Sequence, residues 1–392
     1  MASSSSLVQK QKLVFLVLII SLLFSYGNAN WYGTGMTNLG NPDSIDPNGN
    51  VINPLKKCGF DKMYLLGGSL SDTGNLISET VGSTLPFGKQ PYSHGRSSNG
   101  LLITDNFAYE AGINPIPDPY KDLNFYFNKG VNFAVAGSTA LPTEVLATKY
   151  MISSPVTNSS LNIQLDWMSD YFSSATCLTD NGCTDRYNKA IFFVGEIGGS
   201  DYQYAILQGK LTMDQLTDMV PDVVAAIINA TKGVLNLGAR RVVIPGIFPL
   251  GCLPIYKTLF QSNVSTNYDE NQCLNQLNDL AKNHNEQLQQ GINSLMQENP
   301  NAVLVYGDYY QAYKHLHRIA TLNDFDTEKA CCGIGGDYNF NVTTMCGHGG
   351  VNNFMGRNRY ISWDGINLTR IGNKIMANWL IRKTVPKLQC QS

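Results

Sequence analysis

Ser69 stands at a turn where a serine side chain could act as a nucleophile. The apolar run Met63–Leu66 predicts a buried strand, and Gly67 and Gly68 follow it directly. Glycines after a strand allow a tight turn that exposes the next side chain. A cluster of Ser, Asp and Thr after a strand is also a common helix cap. This segment alone therefore leaves a catalytic and a structural interpretation open.

Three further segments place small or polar side chains where a predicted strand ends or a predicted helix begins. Gly137 lies in a small-residue turn and Ser200 lies in a glycine-rich turn, each after an apolar run. Asp364 and Asn367 stand just before the last predicted helix. In sheets of parallel strands, ligand sites form in the loops beyond the carboxyl ends of the strands. We therefore look for one site built from these segments and Ser69.

The four segments together resemble the plant GDSL esterase/lipase family, which is part of the SGNH hydrolase superfamily. The resemblance keeps the order of all four blocks, and supporting stretches are Pro91–Gly100, Ile247–Cys252 and Cys331–Gly333. It implies a three-layer α/β/α, flavodoxin-like fold with a central parallel sheet. It also implies a serine nucleophile in the first block, glycine and asparagine oxyanion donors in the second and third, and an Asp-x-x-His pair in the last.

The first three blocks match the family only in part. Where the family has Gly-Asp-Ser-Leu, this chain has Gly67-Gly68-Ser69-Leu70. The serine that would act as the nucleophile is therefore present as Ser69, but Gly68 replaces the aspartate before it. Gly137 corresponds to the oxyanion glycine, and Ser200 replaces the oxyanion asparagine. We assign Gly68, Gly137 and Ser200 to oxyanion or substrate binding. Losing such an asparagine costs a factor of ~10²–10³ if the replacement does not reach the developing charge.

The last block differs from the family motif at the position of the catalytic base. Asp364 keeps the acid of the triad, but Asn367 stands where the family has its catalytic histidine. A serine hydroxyl needs an adjacent base, and imidazole can accept and return that proton, whereas a carboxamide only holds hydrogen bonds. A triad that has lost one member retains roughly 10³–10⁴ over water. Ordinary ester hydrolysis by the family mechanism is therefore not expected.

A histidine elsewhere in the chain is the first candidate for a relocated base. The five are His94, His284, His315, His317 and His348. We favour a surface or capping role for each; His284 sits in a polar predicted helix and is expected to be solvated, while His94 and His348 lie in loops that could approach the site. Asp72 and Asp201 are further candidates, although a turn or cap role is favoured for both.

Alternating strand-like and helix-like segments predict the elements that must position this site. The strand-like runs are Met63–Leu66, Val131–Val135, Ile191–Val194, Val242–Ile244 and Val303–Tyr306. The helix-like windows are Leu161–Phe172, Met213–Leu235, Asn271–Gln297 and Thr369–Val385. Pro221 lies inside the second window and is expected to kink or divide it. Such alternation predicts an α/β fold with helices on both faces of a parallel sheet.

The N-terminus reads as a secretory signal peptide. Lys10 and Lys12 precede the apolar run Leu13–Phe24, and Gly27 and Ala29 provide small residues at the cleavage positions. The run is shorter than the roughly 20 apolar residues that a membrane span needs. We therefore predict a signal peptide over residues 1–29 and a single GDSL/SGNH hydrolase-like domain over residues 30–392. Delivery would be to the apoplast, the cell exterior or the vacuole.

Cysteines and sequons fit the secretory pathway. Nine cysteines favour disulfides, with Cys177 and Cys183 as the easiest pair to propose and at least one thiol left over. The N-x-S/T sequons are at Asn158, Asn229, Asn263, Asn341 and Asn367. We expect N-glycans on the first four, whereas Asn367 should be packed against the Ser69 loop and unmodified.

The formal net charge of −2 and the absence of a basic cluster argue against a nucleic-acid partner, and no metal or other cofactor is expected.

Three functions remain open at this point. The first is a repurposed enzyme of plant specialised metabolism that performs acyl transfer, elimination, isomerisation or cyclisation on a small metabolite. A substrate with its own amine, such as an alkaloid, could supply the missing base. The second is an inactive protein that binds a small ligand. The third is a weak carboxylic-ester hydrolase with a relocated base. The first is favoured because the changes at Gly68, Ser200 and Asn367 fall on the hydrolytic groups, while Ser69 and Asp364 are kept.

Overall fold

A six-stranded parallel sheet forms the centre of the computed structural model, which describes residues 54–80, 94–122, 128–153, 155–174, 187–353 and 359–390. The strands are β1 (Lys62–Leu66), β2 (Asp118–Pro119), β3 (Gly130–Asn132), β4 (Ala190–Val194), β5 (Arg241–Pro245) and β6 (Val303–Gly307). Their order across the sheet is β2-β3-β1-β4-β5-β6, and all neighbouring pairs are parallel. The expected α/β fold is thereby confirmed.

Helices cover this sheet on both faces. They are α1 (Asn75–Glu79), α2 (Ile103–Ala111), α3 (Thr143–Lys149), α4 (Leu161–Ser174), α5 (Gly199–Leu207), α6 (Met213–Asn236), α7 (Pro254–Leu259), α8 (Asn275–Glu298), α9 (Tyr309–Leu322) and α10 (Arg370–Thr384). Helix α6 packs on α4 and α8, whereas α10 packs on α2 and α9. On β4, Phe192 contacts Phe172 of α4, and the next residue, Phe193, contacts Phe107 of α2. Successive strand residues point to opposite faces, so these two helical groups lie on opposite sides of the sheet.

Four short strands build two small sheets beside the main one. They are β7 (Asp326–Ala330), β8 (Cys332–Gly333), β9 (Asn352–Asn353) and β10 (Tyr360–Ser362). Strand β10 pairs with β7 in parallel, and β8 pairs with β9 in antiparallel orientation. None of these four strands is predicted by an apolar run in the sequence. Their importance is that β10 leads into the segment that carries Asp364 and Asn367.

The functional segments meet at one edge of the sheet because of its topology. Strand β1 pairs with β3 on one side and with β4 on the other. The chain therefore leaves β1 towards one half of the sheet and returns to build the other half. This is a topological switch point, where the carboxyl ends of the strands leave a crevice for a ligand. Ser69 follows β1 and Ser200 follows β4 at this position.

Most predicted elements are observed with small shifts, and three differ. The strand predicted over Val131–Val135 ends at Asn132, although the N–H groups of Phe133 and Val135 still bond to the carbonyls of β1 and the turn after it. Helix α8 begins four residues later than expected, because Leu274 N–H bonds to the Gly251 carbonyl and Cys273 is held in a disulfide. Helix α6 runs without interruption through Pro221, so the expected division of this helix is wrong.

Disulfides join distant parts of the described chain. The bonds are Cys58–Cys390, Cys252–Cys273 and Cys332–Cys346, and the first spans 332 residues. Cys331 is buried and belongs to none of these three. A link between such distant residues restricts the unfolded chain and favours the folded state. The predicted Cys177–Cys183 pair lies outside the described residues.

Every element above lies in the compact unit Leu55–Ser392. The signal peptide predicted for residues 1–29 falls outside the described residues. Among the residues that are described, no helix combines the length and apolar character that crossing a membrane requires.

Candidate active site

Backbone contacts fix the turn that presents Ser69. The Gly67 N–H donates to the side-chain oxygen of Gln164 at 2.8 Å, and the Gln164 amide nitrogen donates back to the Gly67 carbonyl at 3.0 Å. The Gly68 N–H donates to the Glu196 carbonyl at 3.0 Å. Gln164 lies on α4 and Glu196 follows β4. Two neighbouring elements therefore hold the backbone on which Ser69 is mounted.

A tight turn after β10 places Asp364 and Asn367 together. The Asp364 Oδ1 accepts hydrogen bonds from the backbone N–H groups of Ile366 and Asn367 at 3.0 and 2.7 Å. The Trp363 N–H donates to the Asn367 carbonyl at 2.7 Å. Asp364 and Asn367 are both buried. The turn thus fixes both side chains before α10 begins.

Ser69, Asn367 and Asp364 form one hydrogen-bonded line. The Asn367 Nδ2 donates to Asp364 Oδ2 at 2.8 Å, and the Ser69 hydroxyl donates to Asn367 Oδ1 at 2.7 Å. An ionised carboxylate only accepts hydrogen bonds, so the amide nitrogen faces Asp364 and the amide oxygen faces Ser69. The Ser69 proton therefore points at a group that can bind it but cannot remove it.

This line opens on a pocket with a mixed wall. Ser69, Asn367, Ser200 and Glu196 contribute polar groups. The remaining wall consists of Leu70, Gly199, Gln203, Phe248, Leu250, Leu253, Tyr256 and Ile366. Pockets for small molecules characteristically combine such an apolar wall with a few placed polar groups. No lysine or arginine is among the residues that line it.

Glu196 is the acid in the pocket wall, and the sequence analysis did not select it. Burial raises the pKa of Glu196 to about 7, the backbone N–H of Gly199 lowers it by hydrogen bonding, and the charge of Asp201 raises it further. The available signal was a glutamate two residues after the apolar strand β4, in the same block as Ser200. We interpreted that block only through its oxyanion position.

Asp72 and Asp201 hold backbone groups. The Asp72 carboxylate accepts from the N–H groups of Gly74, Asn75, Leu76 and Ala136. The Asp201 carboxylate accepts from Ala140 and Leu141 at 2.8 and 3.0 Å, and burial raises its pKa to about 7. Both are fully buried and neither lines the pocket. The Asp72 contacts to Gly74 and Asn75 fit the turn or cap role favoured from the sequence, whereas Asp201 instead holds a loop 60 residues away in the chain.

Two of the predicted positions lie behind the pocket wall. Gly68 is buried in the turn before Ser69, where its N–H is already used by Glu196. The Gly137 carbonyl accepts from the Tyr204 hydroxyl at 2.8 Å, and a Cβ on Gly137 would lie 2.9 Å from that hydroxyl. Neither glycine is among the residues that line the pocket. The oxyanion role of Gly137 stays a prediction.

All five histidines are in the described part of the chain, and none lines the pocket that contains Ser69. The expectation that His284 is solvated is wrong. It is completely buried between α8 and α5, its Nδ1 is 2.9 Å from the Tyr202 hydroxyl, and burial lowers its pKa to about 3. The burial of His284 was hard to predict because its sequence neighbours on α8 are polar, and one residue of an amphipathic helix can still face the core.

The parallel sheet with its switch-point site defines an α/β protein of the SGNH hydrolase kind. Residues 63–380 match the family model for GDSL-like lipases and acylhydrolases. The chain belongs to this family.

Curated relatives cover most of the chain. Acetylajmalan esterase 2 of Rauvolfia serpentina is 37% identical over 85% of this chain and 92% of its own length. Acetylajmalan esterase of the same plant is 37% identical over 85% of this chain and 88% of its own length. A GDSL esterase/lipase of Arabidopsis thaliana is 35% identical over 87% of this chain and 94% of its own length.

Proposed function

We propose that this protein is an enzyme that keeps the pocket of the GDSL family but does not use a serine–histidine mechanism to hydrolyse esters. The observation that carries the proposal is the line from Ser69 through Asn367 to Asp364, at 2.7 and 2.8 Å. It reproduces the connectivity of a triad with an amide in the middle. Such a line orients a substrate and polarises it, but Asn367 cannot act as a general base.

The proposed substrate is a small specialised metabolite, such as an alkaloid. The pocket wall combines apolar side chains with several polar ones, which suits a compact organic molecule that carries polar groups of its own. Two relatives are named for the hydrolysis of acetylajmalan, which motivates this class of substrate and nothing narrower. The proposed reactions are acyl transfer, elimination, isomerisation or cyclisation, in which the substrate itself can move a proton.

Comparing metabolites in host tissue with and without the protein tests this function. We expect at least one product to disappear when the protein is removed and its precursor to accumulate. Re-expression of the wild-type chain should restore that product, and re-expression of Ser69→Ala should restore it poorly. An unchanged metabolite profile would contradict an enzymatic role.

Binding without turnover is the second candidate function. It is supported by the same amide, because the Ser69 proton has an acceptor that does not remove it. An inactive binding protein would leave the metabolite profile unchanged and would still retain a ligand from a tissue extract.

We also propose that the protein travels through the secretory pathway to the cell exterior, the apoplast or the vacuole. The predicted signal peptide supports this route. The sequons at Asn158, Asn229, Asn263 and Asn341 are exposed, as a glycan requires.

A further inference from the structure

We infer that Glu196 is the acid/base residue of this pocket and that it recognises a protonated amine on the substrate. The inference rests on the proposed function, since it assigns a substrate class to the same pocket. In the step it implies, an N–H bond of the ammonium group breaks and its proton moves to the carboxylate. The products are a neutral carboxylic acid and a neutral amine whose electron pair becomes available for chemistry.

The backbone brings Glu196 next to the Ser69 turn. Its carbonyl accepts the Gly68 N–H at 3.0 Å, and both Glu196 and Ser69 line the pocket. Glu196 is half-buried, so part of the residue remains open to a ligand. The pocket wall therefore contains a carboxylate close to the serine.

Gly199 allows the carboxylate to take up its position. The Gly199 N–H hydrogen-bonds to the Glu196 carboxylate at the start of α5. A Cβ on Gly199 would lie only 3.0 Å from Glu196 Oε1, tighter than most real Cβ contacts. The absence of a side chain at this position lets the carboxylate approach the helix N-terminus, which stabilises negative charge.

The Ser69 oxygen can accept a hydrogen bond from a ligand, whereas the side chains of Ser200 and Gln203 in the same wall can both donate and accept. Because the Ser69 proton is donated to Asn367, the Ser69 oxygen keeps its electron pairs for a donor on the substrate. No lysine or arginine lines this pocket to neutralise the carboxylate. The aromatic rings of Phe248 and Tyr256 in the wall can also attract a cation. An ammonium group is complementary to the carboxylate, to the Ser69 oxygen and to the aromatic rings, whereas the carboxylate would repel an anion.

The titratable groups that face Glu196 belong to three helices. Asp201 on α5 opposes its ionisation, while Tyr256 on α7 and Tyr309 on α9 feel its charge. Burial raises the pKa of both phenols well above the usual value, so they stay neutral. Burial also raises the pKa of Glu196 to about 7. Ammonium binding should therefore strengthen as the pH rises through neutrality, because the carboxylate becomes charged.

Binding of benzylamine and of benzyl alcohol tests the inference, because the two differ in charge but little in shape. We would measure both by ligand-observed NMR on the full chain at pH 6 and pH 8, where the amine stays protonated. We expect the wild type to prefer benzylamine, and this preference to grow about tenfold between the two pH values as a group with pKa near 7 ionises. Glu196→Gln should lose most of the preference for benzylamine and all of its pH dependence.

Three further variants make the result specific. Glu196→Asp keeps the charge and should keep the preference for benzylamine. Asp201→Asn should keep a pH-dependent preference but move its midpoint to lower pH, because the charge of Asp201 raises the pKa of Glu196 while its carboxylate bonds to Ala140 and Leu141 behind the wall. Glu298→Gln, at an exposed surface position paired with Lys232, is the matched control for a change in net charge and should behave as the wild type.

The inference is wrong if the wild type shows no preference for benzylamine. It is equally wrong if Glu196→Gln retains that preference, or if Asp201→Asn abolishes the pH dependence. The measurement requires no turnover, so its outcome is independent of the metabolite comparison that tests the proposed function. A protein that prefers benzylamine but changes no metabolite would keep the assignment of Glu196 as the ammonium-binding residue and refute the enzymatic role.

Discussion

At the scale of single residues, the chemistry of this pocket depends on which atom of Asn367 faces Ser69. Asp364 orients the amide by accepting a hydrogen bond from Nδ2, and the amide oxygen then accepts a hydrogen bond from the Ser69 hydroxyl. An imidazole in this position would offer a basic nitrogen instead of a carbonyl oxygen. An asparagine in this position therefore keeps the connections that an imidazole would make, but it cannot transfer a proton as an imidazole can.

Asn367→His should consequently create an esterase from this scaffold. We expect p-nitrophenyl acetate turnover to rise by a factor of ~10²–10⁴ over the wild type, the usual contribution of general acid–base catalysis. Ser200 in the oxyanion position would keep the rate below that of a complete site. Initial rates with the purified variant measure the effect.

The double variant Ser69→Ala/Asn367→His is the control, and it should lose the gained activity. A fluorophosphonate probe should label Ser69 much faster in Asn367→His than in the wild type. If Asn367→His is folded but has no additional turnover, more than the base is missing from the hydrolytic site.

At the scale of elements, the turn between β1 and Ser69 needs its first glycine far more than its second. A Cβ on Gly67 would lie 3.0 Å from the carbonyl carbon and oxygen of Gly195, which are backbone atoms in the loop after β4. A Cβ on Gly68 would meet the Glu196 carbonyl oxygen at 3.5 Å, an ordinary contact. The backbone thus has room for a side chain at position 68, where the family has an acid.

Gly67→Ala should therefore destabilise the protein, and Gly68→Ala is its matched control. We expect Gly67→Ala to cost about 1–3 kcal/mol, as overpacking in a close-packed interior does, and Gly68→Ala to cost much less. Urea denaturation followed by circular dichroism measures both. Equal stability losses would show that the contact with Gly195 does not govern this turn.

The elements also show what could be predicted from the sequence and what could not. Apolar runs located β1, β4, β5 and β6, because buried parallel strands are hydrophobic on both faces. Strand β2 was not predicted because it is two residues long and contains Pro119. The family motifs and their order along the chain identified Ser69, Asp364 and Asn367 as site residues. They could not predict the distances between these side chains. Glu196 was missed because its significance comes from burial and from neighbours on other elements.

At the scale of the whole molecule, the candidate site depends on contacts between residues that are far apart in the chain. Ser69 and Asn367 are separated by 298 residues, and their hydrogen bond forms only when β1 and β10 are both in place. Ser98 and Asn99 add further links to the segment after Asn367, through the Leu368 carbonyl and the Arg370 N–H. Unfolding at either end should therefore dismantle the site.

The same packing decides which sequons could carry a glycan if the protein passes through the proposed secretory route. Asn367 is only 6% exposed, and its amide bonds to both Ser69 and Asp364. A glycan would replace an amide hydrogen on Nδ2 and place a bulky sugar in the pocket. We therefore expect peptide mapping, with and without PNGase F, to find glycans on exposed sequons and none on Asn367. The four expected sites are Asn158, Asn229, Asn263 and Asn341. A glycan on Asn367 would contradict the closed line of hydrogen bonds and with it the proposed pocket.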